Sequence, residues 1–182
     1  MTKKRLPSST SSPSLPSGFT DLLGEVKLRI QTAQTRAMFS VNAELIRLYW
    51  DIGRLIEDRQ QREGWGASVI PRLSAELRNE LSELKGFSTR NMDRMVAFYR
   101  DYPNPDQFSP QAVAKLQPED YLLWSVPWGH HVHLMTKVKD ADIRRWYMEQ
   151  TLANGWSRNV LTLMIESEAH RRTGKAVSNF EL

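Results

Sequence analysis

The sequence has 182 residues, of which 40% are hydrophobic and 25% charged, and this apolar content suffices for one good-sized domain. The absence of cysteine excludes disulfide bonds, a thiolate nucleophile and Cys-ligated zinc. No apolar run approaches the roughly 18 residues that cross a bilayer, and no apolar stretch follows the basic start. We therefore predict a cytoplasmic protein with no membrane partner.

The net charge of +4 is concentrated at the N-terminus. Lys3, Lys4 and Arg5 precede every acidic residue, and after residue 17 the chain has 22 basic and 21 acidic side chains. Residues 1–17 are dominated by Ser, Pro and Thr, a composition that cannot offset its ordering entropy by burial. They are predicted to form a disordered tail, and residues 18–175 are predicted to form the folded domain, in which basic character is local.

A long amphipathic helix is predicted first, because apolar residues recur at steps of three or four from Leu23 to Leu55. Thr20 offers an N-cap, and the pattern favours either one helix to about Arg59 or two in line with a bend near Thr35. A stripe of about 35 residues is longer than one small domain needs, so we expect part of it to contact another subunit in a homodimer. The residues of this stripe are Leu23, Val26, Ile30, Ala33, Ala37, Val41, Leu45, Leu48, Ile52 and Leu55.

Two shorter helices follow, each preceded by a serine that can cap it. Ser68 and Ser88 are predicted to begin helices over 68–82 and 88–101, and the turn between them contains Gly86. This pair is typical of a helix-turn-helix, whose second helix enters the major groove of DNA with its N-terminal residues on base edges.

The remaining segments are also predicted to be helical. Beyond a proline-rich loop, short helices are expected after Pro118 and Pro127. Two further helices are expected after Asp140 and Ser157, and the helix that Asp140 begins is predicted to end at Gly155. No period-2 run is longer than a few residues. The predicted fold class is all-α, a multi-helix domain with a helix-turn-helix element.

The second helix of the predicted helix-turn-helix presents polar and largely cationic side chains outward. Arginine suits guanine and asparagine suits adenine by bidentate geometry, and a helix N-terminus favours phosphate. DNA is therefore the predicted partner. The predicted DNA-binding residues are Lys85, Thr89, Arg90, Asn91, Arg94 and Arg100.

Three histidines fall within four residues, and neutral imidazoles are good metal ligands. However, no carboxylate lies on the short helix of His130, His131 and His133, and His131 falls on the apolar face with Trp128 and Leu134. We predict a structural or surface role for them and no metal site. An enzyme that uses this cluster is the last-ranked of the functions considered.

The sequence lacks the known arrangements of catalytic residues. A PD-(D/E)xK nuclease needs an Asp and a (D/E)xK tripeptide on adjacent strands to hold a divalent cation. Both tripeptides, Glu25-Val26-Lys27 and Glu83-Leu84-Lys85, precede the only Pro-Asp pair, Pro105-Asp106. The chain also has neither a glycine-rich phosphate loop nor a G-x-S-x-G elbow. We predict no catalytic residue and no cofactor in this chain.

Five blocks of the sequence have the order and spacing of a known family. They are Asn42–Gly53, Gly64–Gly66, Gly86–Met92, Pro127–His131 and Gly155–Leu161. Together they resemble the N-terminal domain of the YhcG family, which is classed with the PD-(D/E)xK nucleases, and the similarity covers about Phe19 to Leu182.

This resemblance implies a winged-helix-like, DNA-binding domain that a nuclease domain follows. The family is presumed to act in DNA recombination, repair or defence. Residues 176–182 would then begin the linker to a C-terminal nuclease domain that is absent from these 182 residues.

Two functions stay open on this basis. The first is a non-catalytic DNA-binding module of a nuclease. The second is a protein-interaction or dimerisation module that does not itself contact DNA, which the nearly neutral charge of the folded part favours.

Overall fold

The computed structural model describes residues 16–66, 68–105 and 122–172. These residues are all-helical, which confirms the all-α prediction. A winged-helix-like element is not confirmed, because its wing needs a pair of strands and no strand lies among the described residues. The predictions that lie outside the described residues concern the tail over 1–15, Asp106, the start of the helix after Pro118 and the linker over 176–182.

Seven α-helices and one short 3-10 helix account for the regular structure of the described residues. They are α1 (Phe19–Glu63), α2 (Val69–Glu80), α3 (Thr89–Asp101), α4 (Leu122–Ser125), α5 (Trp128–Lys137), α6 (Ala141–Asn154), α7 (Arg158–Glu166) and the 3-10 helix Ala169–Arg171. Within the described ranges, no helix combines the length and the apolarity that a membrane crossing requires.

Side-chain caps set the start of three helices as the sequence predicts. Ser88, Asp140 and Ser157 each accept hydrogen bonds from backbone N–H groups in the first turns of α3, α6 and α7. Gly155 adopts the left-handed conformation, with φ 62°, and ends α6.

Two predicted caps are wrong. Ser68 precedes α2 but its backbone is already helical, with φ −74° and ψ −13°, and its hydroxyl makes no capping hydrogen bond. The first helix begins at Phe19, because the carbonyl of Gly18 accepts the first hydrogen bond of α1, from the N–H of Leu22 at 3.0 Å. Thr20 therefore lies inside the first turn and is not the N-cap.

The chain divides into two units, Met1–Ala37 and Met38–Leu182. In the first unit, every described residue is exposed, including the apolar residues of α1. The second unit contains the buried residues of the described chain. Helix α1 is assigned as one helix over Phe19–Glu63, in agreement with the first of the two predicted alternatives.

Within the second unit, α1 buries a different face from the predicted stripe. The buried residues are Ala43, Ile46, Tyr49, Gly53, Ile56 and Glu57. The stripe residues Val41, Leu45, Leu48 and Leu55 are exposed. This part of α1 therefore has two faces with steps of three and four residues, and the predicted stripe is the face that the fold leaves open.

Two hydrophobic clusters form the core of the second unit. The larger one is made by Ala43, Ile46, Phe98, Tyr102, Leu123, Trp124, Val126, Leu134, Val138, Tyr147, Met148, Leu161 and Ala169. The smaller one is made by Tyr49, Ile56, Ile70, Met92, Met95 and Val96. Trp128 packs against both, since its ring centroid lies 4.9 Å from that of Tyr49 and 5.4 Å from that of Phe98.

The crossing of α1 and α3 leaves no room for a side chain at Gly53. A Cβ at this position would lie 2.1 Å from the carbonyl oxygen of Met95 and 3.1 Å from the amide nitrogen of Val96. The backbones of α1 and α3 thus touch directly. This contact positions α3, the helix that bears most of the predicted DNA-binding residues.

Candidate nucleic-acid interface

The turn between α2 and α3 is held by side chains that fix where α3 begins. Ser74 of α2 donates a hydrogen bond to the carbonyl of Phe87 at 2.8 Å. Gly86 has a φ of 103°, which favours glycine, and a Cβ there would lie 2.6 Å from the hydroxyl oxygen of Tyr49. The Asn91 side-chain nitrogen donates to the Gly86 carbonyl at 2.6 Å.

Asn91 joins this turn to α1 and α5. Its Oδ1 accepts a hydrogen bond from Nε1 of Trp128 at 2.8 Å, and its side chain also bonds to the Tyr49 hydroxyl. Burial raises the pKa of Tyr49, and the hydrogen bond with Asn91 partly opposes this. A bidentate contact with adenine would have to break these bonds, so we interpret Asn91 as a positioning residue for α3.

Three of the predicted DNA-binding residues are cations without an ion pair in the described part of the chain. Lys85 is exposed in the turn, Arg90 is exposed in the first turn of α3, and Arg94 is half-buried one turn later. Their charge is therefore available to an outside anion. Thr89, the first residue of α3, is half-buried between them.

Arg100 differs from these cations because its charge is already compensated. It lies in the last turn of α3 and pairs with the carboxylate of Glu57 on α1 at 2.6 Å. The hydrogen bond from Arg100 lowers the pKa of Glu57. The structure thus separates Arg100 from the free cations at the start of α3.

The positive charge of Arg94 acts on His133 of α5, as do cations of α5 and α7. Burial lowers the pKa of His133, and the positive charges of Arg158, Lys137 and Arg94 lower it further. Lys137 is paired with Glu166 at 2.5 Å, whereas Arg158 has no ion pair among the described residues. We call the two arginines whose charges act on His133 and that have no ion pair among the described residues, Arg94 and Arg158, the cation cluster.

Arg158 begins α7 and lies over the first turn of α5. A Cβ on Gly129 would be 3.6 Å from Cδ of Arg158, which is ordinary van der Waals contact. Backbone N–H groups at helix starts and a guanidinium are both suited to phosphate oxygens. A cavity of about 360 Å³ at this place is lined by Pro127, Gly129, His130, Ser157, Arg158 and Asn159.

Two imidazoles of the histidine cluster are engaged inside the protein. His131 is fully buried and Nε2 donates to the carbonyl of Leu123 at 2.9 Å. Burial lowers its pKa to about 4, so it is neutral at pH 7. Nε2 of His130 is 2.8 Å from the carbonyl of Trp156 and donates to it. Within the described ranges, no three His, Asp or Glu side chains are grouped to hold a metal ion.

The sequence analysis missed Arg158, and it missed that Asn91, which it assigned to DNA, forms hydrogen bonds with Tyr49 and Trp128. A signal for each was present, because all four residues lie inside the blocks that resemble the YhcG family. Membership of a block does not reveal that four of the blocks meet in space, and only the structure provides that information.

Comparison with known proteins identifies the family to which the chain is similar. Residues 25–172 match the family described as the DUF1016 N-terminal domain. The chain is also 29% identical over 166 residues to a protein of Escherichia coli (strain K12) named "Putative nuclease YhcG". The match covers 79% of this chain and 44% of the relative, so the chain spans less than half of the relative's length. These matches confirm the resemblance to a YhcG-like N-terminal domain. No solved structure matches the chain.

Proposed function

The chain belongs to the DUF1016 N-terminal domain family, and from this membership and its free cations we propose that it is the DNA-binding part of a longer nuclease. The name of the E. coli relative supports the nuclease assignment, and the aligned region is 44% of that protein. We propose that the catalytic residues lie in a C-terminal nuclease domain outside these 182 residues. A role in DNA recombination, repair or defence belongs to the same proposal.

The observation that supports DNA binding most is the group of unpaired cations around the start of α3. Arg90 and Arg94 are one turn apart on α3, and the charges of Arg94 and of Arg158 both act on His133 of α5. In the proposal, α2 and α3 act as a helix-turn-helix, with Arg90 and Arg94 on base edges and Arg158 on a phosphate. In the same proposal, Lys85 in the exposed turn and Thr89 at the start of α3 contact the DNA backbone.

The proposal predicts that replacing Arg90 and Arg94 with alanine weakens binding to duplex DNA. Each lost base contact should cost about 1–3 kcal/mol of binding free energy, and Arg158→Ala should reduce the salt slope by about one. The measurement is a titration of labelled duplex at several salt concentrations. Because Lys3, Lys4 and Arg5 can bind DNA non-specifically, all variants should be made in a chain with these three residues changed to glutamine.

A matched control removes the same charge elsewhere. Arg59 and Arg62 of α1 form hydrogen bonds within their own helix, to Glu63 and to the carbonyl of Asp58, so Arg59→Ala with Arg62→Ala should leave the salt slope unchanged. Unchanged affinity and salt slope in the Arg90/Arg94 variant would show that α3 does not contact DNA.

The second candidate is a protein-interaction module that does not contact DNA. The open apolar stripe of α1 favours it, because Leu45, Leu48 and Leu55 are exposed although the same helix has a buried face. The titration above distinguishes the candidates. Complete absence of DNA binding by the chain with the neutralised tail would favour the interaction module.

A further inference from the structure

Helix α1 exposes an apolar face along most of its length. Nine of the ten stripe residues from Leu23 to Leu55 are exposed, and Ile52 is half-buried. At about 100° per residue, the ten positions fall within about 120° of arc on a straight helix. Most helices are stabilised by packing of such a face against a partner. Because the stripe of α1 is exposed, it lacks such a partner among the described residues.

The spacing of the stripe is the same when it is read in either direction. From Leu23 to Leu55 the steps are 3, 4, 3, 4, 4, 4, 3, 4 and 3 residues. Each stripe residue therefore has a counterpart, and the two numbers always add to 78, as for Leu23 with Leu55 and Ile30 with Leu48. This symmetry suits two antiparallel copies of the helix about a two-fold axis, because an axis at the level of residue 39 brings residue i level with residue 78 − i of the partner.

Charges beside the stripe are also complementary in that arrangement. Arg29 and Arg36 flank one edge of its first half, and Glu44 and Asp51 flank the same edge of its second half. In a two-fold antiparallel pair, equivalent edges meet each other. Arg29 then lies about two residues, or about 3 Å along the axis, from Asp51 of the partner copy, and Arg36 has the same offset from Glu44.

The four side chains are exposed enough to form these pairs. Arg29 and Glu44 are 77% and 70% exposed, Asp51 is 54% exposed, and Arg36 has no ion pair in the part of the chain that the structure describes. Arg29, Glu44 and Asp51 have partners within α1, but exposed pairs of this kind contribute little and rearrange at small cost. A parallel pair in register would place neither Glu44 nor Asp51 opposite Arg29 or Arg36. In that arrangement each half of α1 would lie beside the same half of the partner's α1.

We propose that the chain forms a homodimer through α1, with the two helices antiparallel about a two-fold axis at the level of Phe39. Residues 23–37 of each copy lie on residues 41–55 of the other, and the stripe is buried between them. Arg29–Asp51 and Arg36–Glu44 pairs form at both ends, which gives four ion pairs per dimer. This arrangement does not depend on DNA binding.

Charge reversal tests the ion pairs in the 182-residue chain. Arg29→Glu with Arg36→Glu brings four pairs of like charges together and should weaken the dimer by about 10- to 100-fold in dissociation constant. Glu44→Arg with Asp51→Arg should have a similar effect. The variant that carries all four changes restores opposite charges and should dimerise like the original chain. Sedimentation equilibrium over the micromolar range measures each constant.

A control variant separates this effect from net charge. Arg72→Glu with Arg78→Glu changes two exposed cations of α2 and should leave the dissociation constant within about twofold of the original value. A monomeric original chain, or a fourfold variant as weak as either double variant, would overturn the proposal.

Disulfide formation tests the direction of the helices independently of the charges. The chain has no cysteine, so single Leu23→Cys and Leu55→Cys variants have one thiol each. An antiparallel pair brings positions 23 and 55 together and should cross-link only in the mixture of the two variants. Cross-linking of either variant alone, with none between the two, would overturn the antiparallel arrangement.

Discussion

Gly53→Ala should destabilise the second unit by about 3 kcal/mol or more, although alanine is the better helix former by about 1 kcal/mol. The added Cβ would lie 2.1 Å from the carbonyl oxygen of Met95, which belongs to the backbone of α3. Helix α3 cannot move away from α1 without losing packing. The smaller hydrophobic cluster, which includes Met92, Met95 and Val96, depends on that packing. Denaturant unfolding followed by circular dichroism measures the change.

Gly129→Ala is the matched control for this prediction. It is also a glycine-to-alanine change within a helix, but its Cβ would meet only Cδ of Arg158 at 3.6 Å and Nη1 at 3.7 Å. We expect its free energy of unfolding to stay within about 1 kcal/mol of the original value. If Gly53→Ala were as stable as Gly129→Ala, the close contact of α1 and α3 would be wrong.

The buried His131 should make the protein lose stability in weak acid. Its pKa is lowered to about 4 in the folded state, from 6.5 for an ordinary histidine. Between these values the unfolded chain binds a proton that the folded chain does not, so stability is highest above pH 6.5 and falls as the pH decreases towards 4. From pH 7 to pH 5 the loss due to this residue should be about 2 kcal/mol.

Unfolding free energies at pH 7 and pH 5 measure this loss, and His131→Gln is the comparison. Glutamine cannot titrate but keeps a donor for the Leu123 carbonyl. The variant should be less stable at pH 7, because it loses ring packing against Phe98, but its change with pH should be about 2 kcal/mol smaller. Equal changes in both proteins would contradict a neutral buried imidazole.

Local chemistry allowed much of the fold to be predicted from the sequence. The caps Ser88, Asp140 and Ser157 and the stop at Gly155 act through backbone groups one to three residues away, so their effect is visible in the sequence. Ser68 has the same chemistry, and that prediction failed because the backbone at this residue is already helical.

The choice of the buried face of α1 could not be predicted in the same way. Periodicity detects an apolar face but not what covers it. The face with the longer run of apolar residues is open, whereas Ala43, Tyr49 and Gly53 belong to a second face that the domain buries. Small and amphipathic residues suit the buried face because α3 approaches it closely. A search for large apolar residues at helical spacing does not find such a face.

The candidate site was predicted in part. The sequence identified Arg90 and Arg94 correctly as polar residues at the start of a capped helix, and their DNA contacts remain a prediction. It treated Asn91 like its neighbours, because the hydrogen bonds to Gly86 and Trp128 join residues from separate segments. Arg158 was missed for the same reason, since α7 meets α5 only in the folded chain.

Nuclear magnetic resonance mapping tests the central claim, DNA binding through α3 and the cation cluster, most directly. A short duplex is titrated into the isotope-labelled chain with Lys3, Lys4 and Arg5 changed to glutamine. Shifts should concentrate on Lys85 to Arg94 and on the start of α7 around Arg158, and spare Arg100. Saturable shifts confined to α1, or no shifts at all, would contradict the account.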